Sequence, residues 1–343
     1  MRAVKWGMEQ PSDTTAAVGT GRKAERITLA TLEAMAAAGT PFACLTCYDA
    51  TTAMWLERGG VPVLLVGDTA AEVILGFERT IDMPLEVLLA LTAAVRRGAP
   101  TRLVMGDMPF LSYHTSEAEG IRNAGRFLVE GLADIVKVEA DRSFAPMVSK
   151  MVRAGIPICG HVGSRPQRAA LTGGYASAGR TAAEAERIID DAVALEDAGC
   201  QLLLVEAVPP EVTERIMART RVPLIGIGAG PACHGQVLVL QDLLGMSLRP
   251  PRFAEPVDQL GRRVELAGAE WVRRVAERRI GGHGYKMKPG EGEKLGRVSG
   301  AEQRKSSAAG PGVTQGNGPE STPGSAPTKP DGPTDRDRAE PAT

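Results

Sequence analysis

Residues 181–206 read TAAEAERIIDDAVALEDAGCQLLLVE. Thr181, with Glu184 three residues on, can open a helix; the apolar positions behind them fall on one face, and Gly199 stops the run. QLLLV at 201–205 then suits a buried strand, and the strand ends on a carboxylate, Glu206. The strand-then-acid pattern returns upstream, where VPVLLVGDT at 61–69 runs into Gly67, Asp68 and Thr69.

Working outward, strand-like runs are expected at 42–48, 62–67, 102–106, 134–138, 157–162, 201–205, 223–228 and 237–240. Helical segments are expected between most of them, at 50–59, 84–98, 116–131, 144–154, 182–199 and 210–219. Strands alternating with helices predict a parallel sheet, and eight such units in about 260 residues predict a closed (β/α)8 barrel, a TIM barrel. The competing open, doubly wound sheet needs a glycine turn after its first strand, where this chain has YDATTA; GIGAG at 226–230 lacks the dinucleotide spacing.

The chain has 343 residues, 43% hydrophobic, enough for a full-sized core. Its 40 Lys and Arg nearly cancel its 41 Asp and Glu, which gives no reason to expect nucleic acid or an anionic membrane as partner. No apolar run reaches the ~18–20 residues of a membrane span, and the N-terminal stretch lacks the apolar core of a secretion signal. The expectation is a soluble cytoplasmic protein. Five cysteines form no disulfide framework. Cys44 and Cys47 make C-x-x-C inside a strand-like run, which should send them to opposite faces. Residues 1–24 read as a flexible leader, 25–285 as the barrel, and 286–343 as a disordered, low-complexity tail rich in Pro, Gly, Ser and charge.

Barrel enzymes draw their chemistry from the C-terminal ends of strands. Here those ends carry Asp49, Asp68, Asp107, Lys137 with Glu139, His161 and Glu206. An Asp before a helix has a plain alternative role as a cap, the reading preferred for Asp49. Caps do not account for Lys137, Glu139 or His161. Three carboxylates facing one cavity repel each other, and a hard divalent cation with oxygen ligands, Mg2+, relieves that repulsion. Lys137 and Glu139 lie two apart and so share a face; they suit either a substrate carboxylate and a metal, or a buried structural pair. Apolar surroundings would raise the pKa of Glu206 toward that of a general base. Residue types thus reach metal-assisted proton abstraction beside a carbonyl, with no substrate named.

The motifs LTCYDATTA, VPVLLVGDT, AVRRGAP, DMPFLSY, VKVEA, ICGHVG, GGY and ALEDAGCQLLLVEAVP stand in the order found in the ketopantoate hydroxymethyltransferase family, which the chain resembles over about residues 25–282. The resemblance implies a barrel of the phosphoenolpyruvate/pyruvate superfamily, assembled as a homodecamer. It implies transfer of a one-carbon unit from 5,10-methylenetetrahydrofolate to 3-methyl-2-oxobutanoate through a Mg2+-stabilised enolate, giving 2-dehydropantoate for pantothenate and coenzyme A biosynthesis. By the same resemblance Asp68, Asp107 and Glu139 would hold Mg2+. Asp68, Thr69, Asp107, Lys137 and His161 would meet the 2-oxo acid, and Glu206 would be the proton acceptor. The chain departs from the family pattern at Thr69, at Ala140 and Asp141, around Ser164, Arg165 and Arg168, at Ala176 and Ala178, and at His234. These departures bear most on folate contacts. They leave two rival readings, another Mg2+-dependent oxo-acid C–C lyase and a non-catalytic binding paralogue.

Overall fold

Alternation along each strand decides which residues face inward. A computed structural model describes residues 25–281 and 284–294. It contains eight parallel strands: β1 (Phe42–Thr46), β2 (Val63–Val66), β3 (Leu103–Asp107), β4 (Ile135–Glu139), β5 (Ile158–Gly163), β6 (Leu202–Glu206), β7 (Leu224–Ile227) and β8 (Gly235–Leu238). They close in sequence order, β8 pairing back onto β1 with Cys44 opposite both Val237 and Val63. One parity of each strand fills the interior, including Cys44, Leu65, Met105, Ile135, Leu204 and Ile225. The other parity, including Leu64, Val104, Val136 and Leu203, packs outward. Parallel strands buried on both faces read as continuous apolar runs, which is why they are legible.

The helices are α1 (Leu29–Ala37), α2 (Ala50–Arg58), α3 (Ala70–Val73), α4 (Leu85–Gly98), α5 (Glu117–Val129) and α6 (Ala145–Arg153). They continue with α7 (Ala169–Thr172), α8 (Ala182–Asp197), α9 (Pro210–Arg219), α10 (Leu240–Leu243), α11 (Leu260–Ala276) and α12 (Glu291–Lys294). The α8 cap forms with one displacement. Thr181 Oγ1 accepts from the Glu184 N–H, while the Glu184 carboxylate reaches the N–H of Arg180, one residue before the cap.

α1 stands before the first strand, and its Leu32 is wholly buried in the interior cluster, with Ile27 and Leu29 packed beside it. It therefore plugs the N-terminal end of the barrel and leaves the C-terminal end to the site. The C-x-x-C expectation holds: Cys44 lies in the interior cluster and Cys47 in the outer one. All five cysteines are buried and free.

α4 is seated tightly on α2. A Cβ built at Gly98 would lie 2.1 Å from the carbonyl oxygen of Ala50, and a main chain cannot swing aside as a side chain would. Gly98→Ala is expected to cost roughly 1–3 kcal/mol, the range for overpacking, read as a lower urea midpoint with unchanged slope.

β8 starts two residues before its expected position, and α1 and α11 were not among the expected helices. α11 exposes an apolar stripe, with Val264, Trp271 and Val275 each about half accessible. Among the described residues no helix is long and apolar enough to cross a membrane. The chain divides into two units, 1–277 with the barrel and 278–343. The described part of the second unit includes the one-turn α12. The expected leader at 1–24 and tail residues 295–343 lie outside the described residues.

Candidate active site

The parity that turns Leu103 and Met105 inward also turns Asp107 inward, one step further along β3. On β4 it delivers Lys137 and then Glu139, on β5 His161, and on β6 Glu206. Asp68 and Thr69 follow the end of β2. All seven line one cavity of about 50 Å³ at the C-terminal mouth. Asp49 does not join them. Exposed beyond β1, it caps α2 by accepting from the Thr52 N–H at 2.8 Å.

Lys137 sits at the centre. Its Nζ lies 2.8 Å from Asp107 Oδ1 and 3.3 Å from His161 Nδ1. The other oxygen, Asp107 Oδ2, accepts from the Asp68 N–H at 3.1 Å. Burial pulls the Lys137 pKa down, but Asp107, Asp68 and Glu139 outweigh it and hold the amine charged. With Lys137 donating to Nδ1, the neutral His161 ring carries its proton on Nε2, which faces Glu206 Oε2 at 3.4 Å without closing a hydrogen bond. Burial, then Lys137 and Arg165, keep the His161 pKa well below its ordinary value.

The carboxylates are held out of water at a cost. Burial, then repulsion from Asp107, pushes Asp68 up to about 8. Burial also drives Glu139 well above the ordinary range. Glu206 is pushed up to about 7, mainly by burial, with Lys137 opposing. Its side chain nonetheless keeps 24% of its surface open toward the mouth. Two backbone features aim it. Gly163, at φ +92°, lies so close to β6 that a Cβ there would sit 2.5 Å from the Glu206 carbonyl. Ala207, directly after Glu206, takes a left-handed φ of 48°.

The donor chemistry fits a hard cation. The carboxylates supply oxygens alone, and Glu139 Oε1 is buried with no hydrogen-bond partner. Among the described residues no three Asp, Glu, His or Cys side chains are already gathered in ligating geometry.

Two side chains at the site were not anticipated. Gln167, 4% exposed, donates through Nε2 to Asp68 Oδ2 at 3.0 Å and to the Met108 carbonyl at 2.9 Å, and its backbone N–H reaches Glu139 Oε2 at 3.1 Å. Tyr113 stands 3.0 Å from both Gln167 Oε1 and the Glu139 carbonyl. Neither lies on a strand, so strand period could not find them; the signals were the Pro166-Gln167 pair just past β5 and the tyrosine of DMPFLSY.

The departures sort themselves by position. Asp141 Oδ2 accepts from Arg165 at 2.9 Å and from Arg168 at 3.1 Å, so three of them form one ion cluster. His234 precedes β8, at the closed end of the barrel, where its Nδ1 accepts from the Leu224 N–H; it belongs to no pocket wall at the mouth. Ser164 and Ala176 line a wide cleft of about 1050 Å³ outside the small cavity. Glu206 borders both spaces, with Thr69, Pro166, Ile227 and Val239.

A closed parallel barrel with an amine and several acids converging at its C-terminal mouth defines a barrel enzyme. The same fold occurs in a phosphoenolpyruvate phosphomutase from Streptomyces platensis subsp. rosaceus, with a TM-score of 0.52, 11% identity, and 82% of this chain and 98% of that one covered. It occurs too in a phosphonopyruvate hydrolase solved with oxalate and Mg2+, at a TM-score of 0.51 and 13% identity, covering 81% and 97%. The model of the ketopantoate hydroxymethyltransferase family matches residues 26–282. The 3-methyl-2-oxobutanoate hydroxymethyltransferase of Syntrophobacter fumaroxidans is 43% identical over 264 residues, 76% of this chain and 93% of that protein. That of Halorhodospira halophila is 42% identical over 249 residues, 73% and 90%. The chain belongs to the ketopantoate hydroxymethyltransferase family.

Proposed function

We infer that this enzyme transfers a hydroxymethyl group from 5,10-methylenetetrahydrofolate to 3-methyl-2-oxobutanoate, giving 2-dehydropantoate. The observation that carries the reading is the place of Glu206 on the border between a small charged cavity and a cleft large enough for a pterin-sized ligand. A reaction joining two substrates needs its base where they meet.

In this reading the oxo acid enters the small cavity, with its carboxylate and 2-oxo group facing Lys137, Thr69 and His161 Nε2–H. Asp68, Asp107 and Glu139 would hold Mg2+, which when bound draws charge from the 2-oxo oxygen and acidifies the neighbouring C–H. Glu206 takes the C3 proton. C3 then forms the new carbon–carbon bond to the folate methylene, and both bonds from that carbon to the folate nitrogens break. Water supplies the hydroxyl, and the two nitrogens take up the proton lost from C3 and the remaining proton of the water. Lys137 faces the charge that develops on the substrate. Arg180, Arg249 and Arg252 on the cleft wall suit the carboxylates of the folate glutamyl tail.

The apolar stripe of α11 supports self-association, and we propose a homo-oligomer, a decamer by family resemblance. Free buried cysteines suit a reducing cytoplasm.

The test is C3 proton–deuterium exchange of 3-methyl-2-oxobutanoate in D2O with Mg2+, followed by NMR. Exchange, and product once the methylene donor is added, is the expected result. Exchange without product would favour a different acceptor, and no exchange would overturn the reading.

A further inference from the structure

We propose that Gln167 is the positioning residue of the carboxylate site, presenting Asp68 and Glu139 to a divalent cation; this rests on the reading above that the two acids hold one. Gln167 fixes one oxygen of each acid. Its Nε2 holds Asp68 Oδ2 and its backbone N–H holds Glu139 Oε2, while Glu139 Oε1 stays buried and unpartnered. One residue thus occupies an oxygen of each of two carboxylates, one just past β2 and one on β4, and leaves the second oxygen of Glu139 to a ligand.

The amide can lie only one way round. Nε2 meets two acceptors, Asp68 Oδ2 and the Met108 carbonyl, and Oε1 meets the Tyr113 hydroxyl. Flipping it would bring oxygen against two oxygens, whereas the Tyr113 hydroxyl can accept as well as donate and so tolerates either end. The segment is braced from outside as well. Arg165 and Arg168 flank Pro166-Gln167, and both guanidinium groups bind the single Asp141 carboxylate, which also takes the Ser143 N–H at 3.0 Å. The departures at Asp141, Arg165 and Arg168 thereby fasten the loop that carries the amide.

The test measures Mn2+ affinity by electron paramagnetic resonance, beside C3 exchange, for the wild type, Gln167→Met, Tyr113→Phe and the double variant. Met keeps the volume and loses the amide. Loss of such an outer contact typically weakens a metal about 10–100-fold, and that is expected for Gln167→Met, with exchange at saturating metal falling less. Tyr113→Phe should give a smaller loss in the same direction. The double variant should be no worse than Gln167→Met, because the hydroxyl acts through the amide. A merely structural role would lower the melting temperature and leave metal affinity alone. If Gln167→Met does not fold, Tyr113→Phe, which loses one hydroxyl, decides. Mn2+ affinity within about two-fold of wild type in a folded variant overturns the proposal, against the loss expected; so does a wild type that binds no Mn2+. Tight Mn2+ binding with no C3 exchange would sink the transferase reading instead, and the affinity ratios would still decide the role of Gln167.

Discussion

Glu206→Gln is expected to leave the oxo acid bound while slowing C3 exchange and turnover by about 10²–10⁴-fold, the usual worth of a positioned base. The substitution preserves shape and removes only the ability to take a proton. Its effect should fall on kcat and spare the binding constant, which marks an interaction needed in the transition state alone. The pH profile gives a second check. Burial raises Glu206 to about 7, and a base works only when ionised. Wild-type exchange should therefore climb as pH rises through about 7 and level off above it. Exchange measured by NMR between pH 5.5 and 8.5 tests both points; a variant that exchanges at the wild-type rate, or a flat profile, would remove Glu206 from the role.

Lys137→Met is expected to be as damaging, through charge and not shape. The ammonium is buried against Asp107, with Asp68 and Glu139 near enough to hold its pKa up. Without it Asp68 and Glu139, which burial already pushes up, lose the cation that opposes that push and must stay charged in a dry site or take up protons. Protonating a carboxylate with an ordinary pKa near 3.9 costs about 4 kcal/mol at pH 7 and about 1.5 kcal/mol at pH 5. The first figure agrees with the roughly 3–5 kcal/mol lost on breaking a buried pair. The sign follows from linkage: an acid whose folded pKa is raised contributes stability fully below its unfolded pKa, and that contribution is lost as pH rises through the folded value. Wild-type Asp68, near 8, and Glu206, near 7, have this sign already, so the variant should extend the same trend. Urea unfolding of the metal-free proteins at pH 5 and pH 7 measures it. Equal losses at both pH values would show that Lys137 is not the counter-ion of this site.

Period-two alternation made most of the barrel and most of the site readable. Strands buried on both faces have no polar interruptions, and the inward parity that fills the core also carries Asp107, Lys137, Glu139, His161 and Glu206 to the mouth. Where tertiary contacts override local preference, the reading slipped. β8 starts on Gly235 because the Phe42 ring occupies the place of a side chain, a Cβ there falling 2.4 Å from Phe42 Cε2; a strand that opens on its least strand-like residue looks like a loop. α1 is so rich in Ala that its helical period is faint, and α11 carries Gly261 and Gly268. Asp49 is the cap its place before a helix suggested: the same residue type at the same kind of position serves a helix here, and its bond to Thr52 tells the two roles apart.

The α1 plug also bears on how such a chain is made. Leu32 rests on a core drawn from all eight strands, from Phe42 and Cys44 of β1 to Val237 of β8. A ribosome delivers the stopper first and its bottle last, some two hundred residues later. Until β8 emerges and pairs with β1, no half-barrel offers that helix its complete seat. Closure couples the two ends of the domain through contacts of long sequence separation, the kind that slows folding and leaves apolar surface open on a nascent chain.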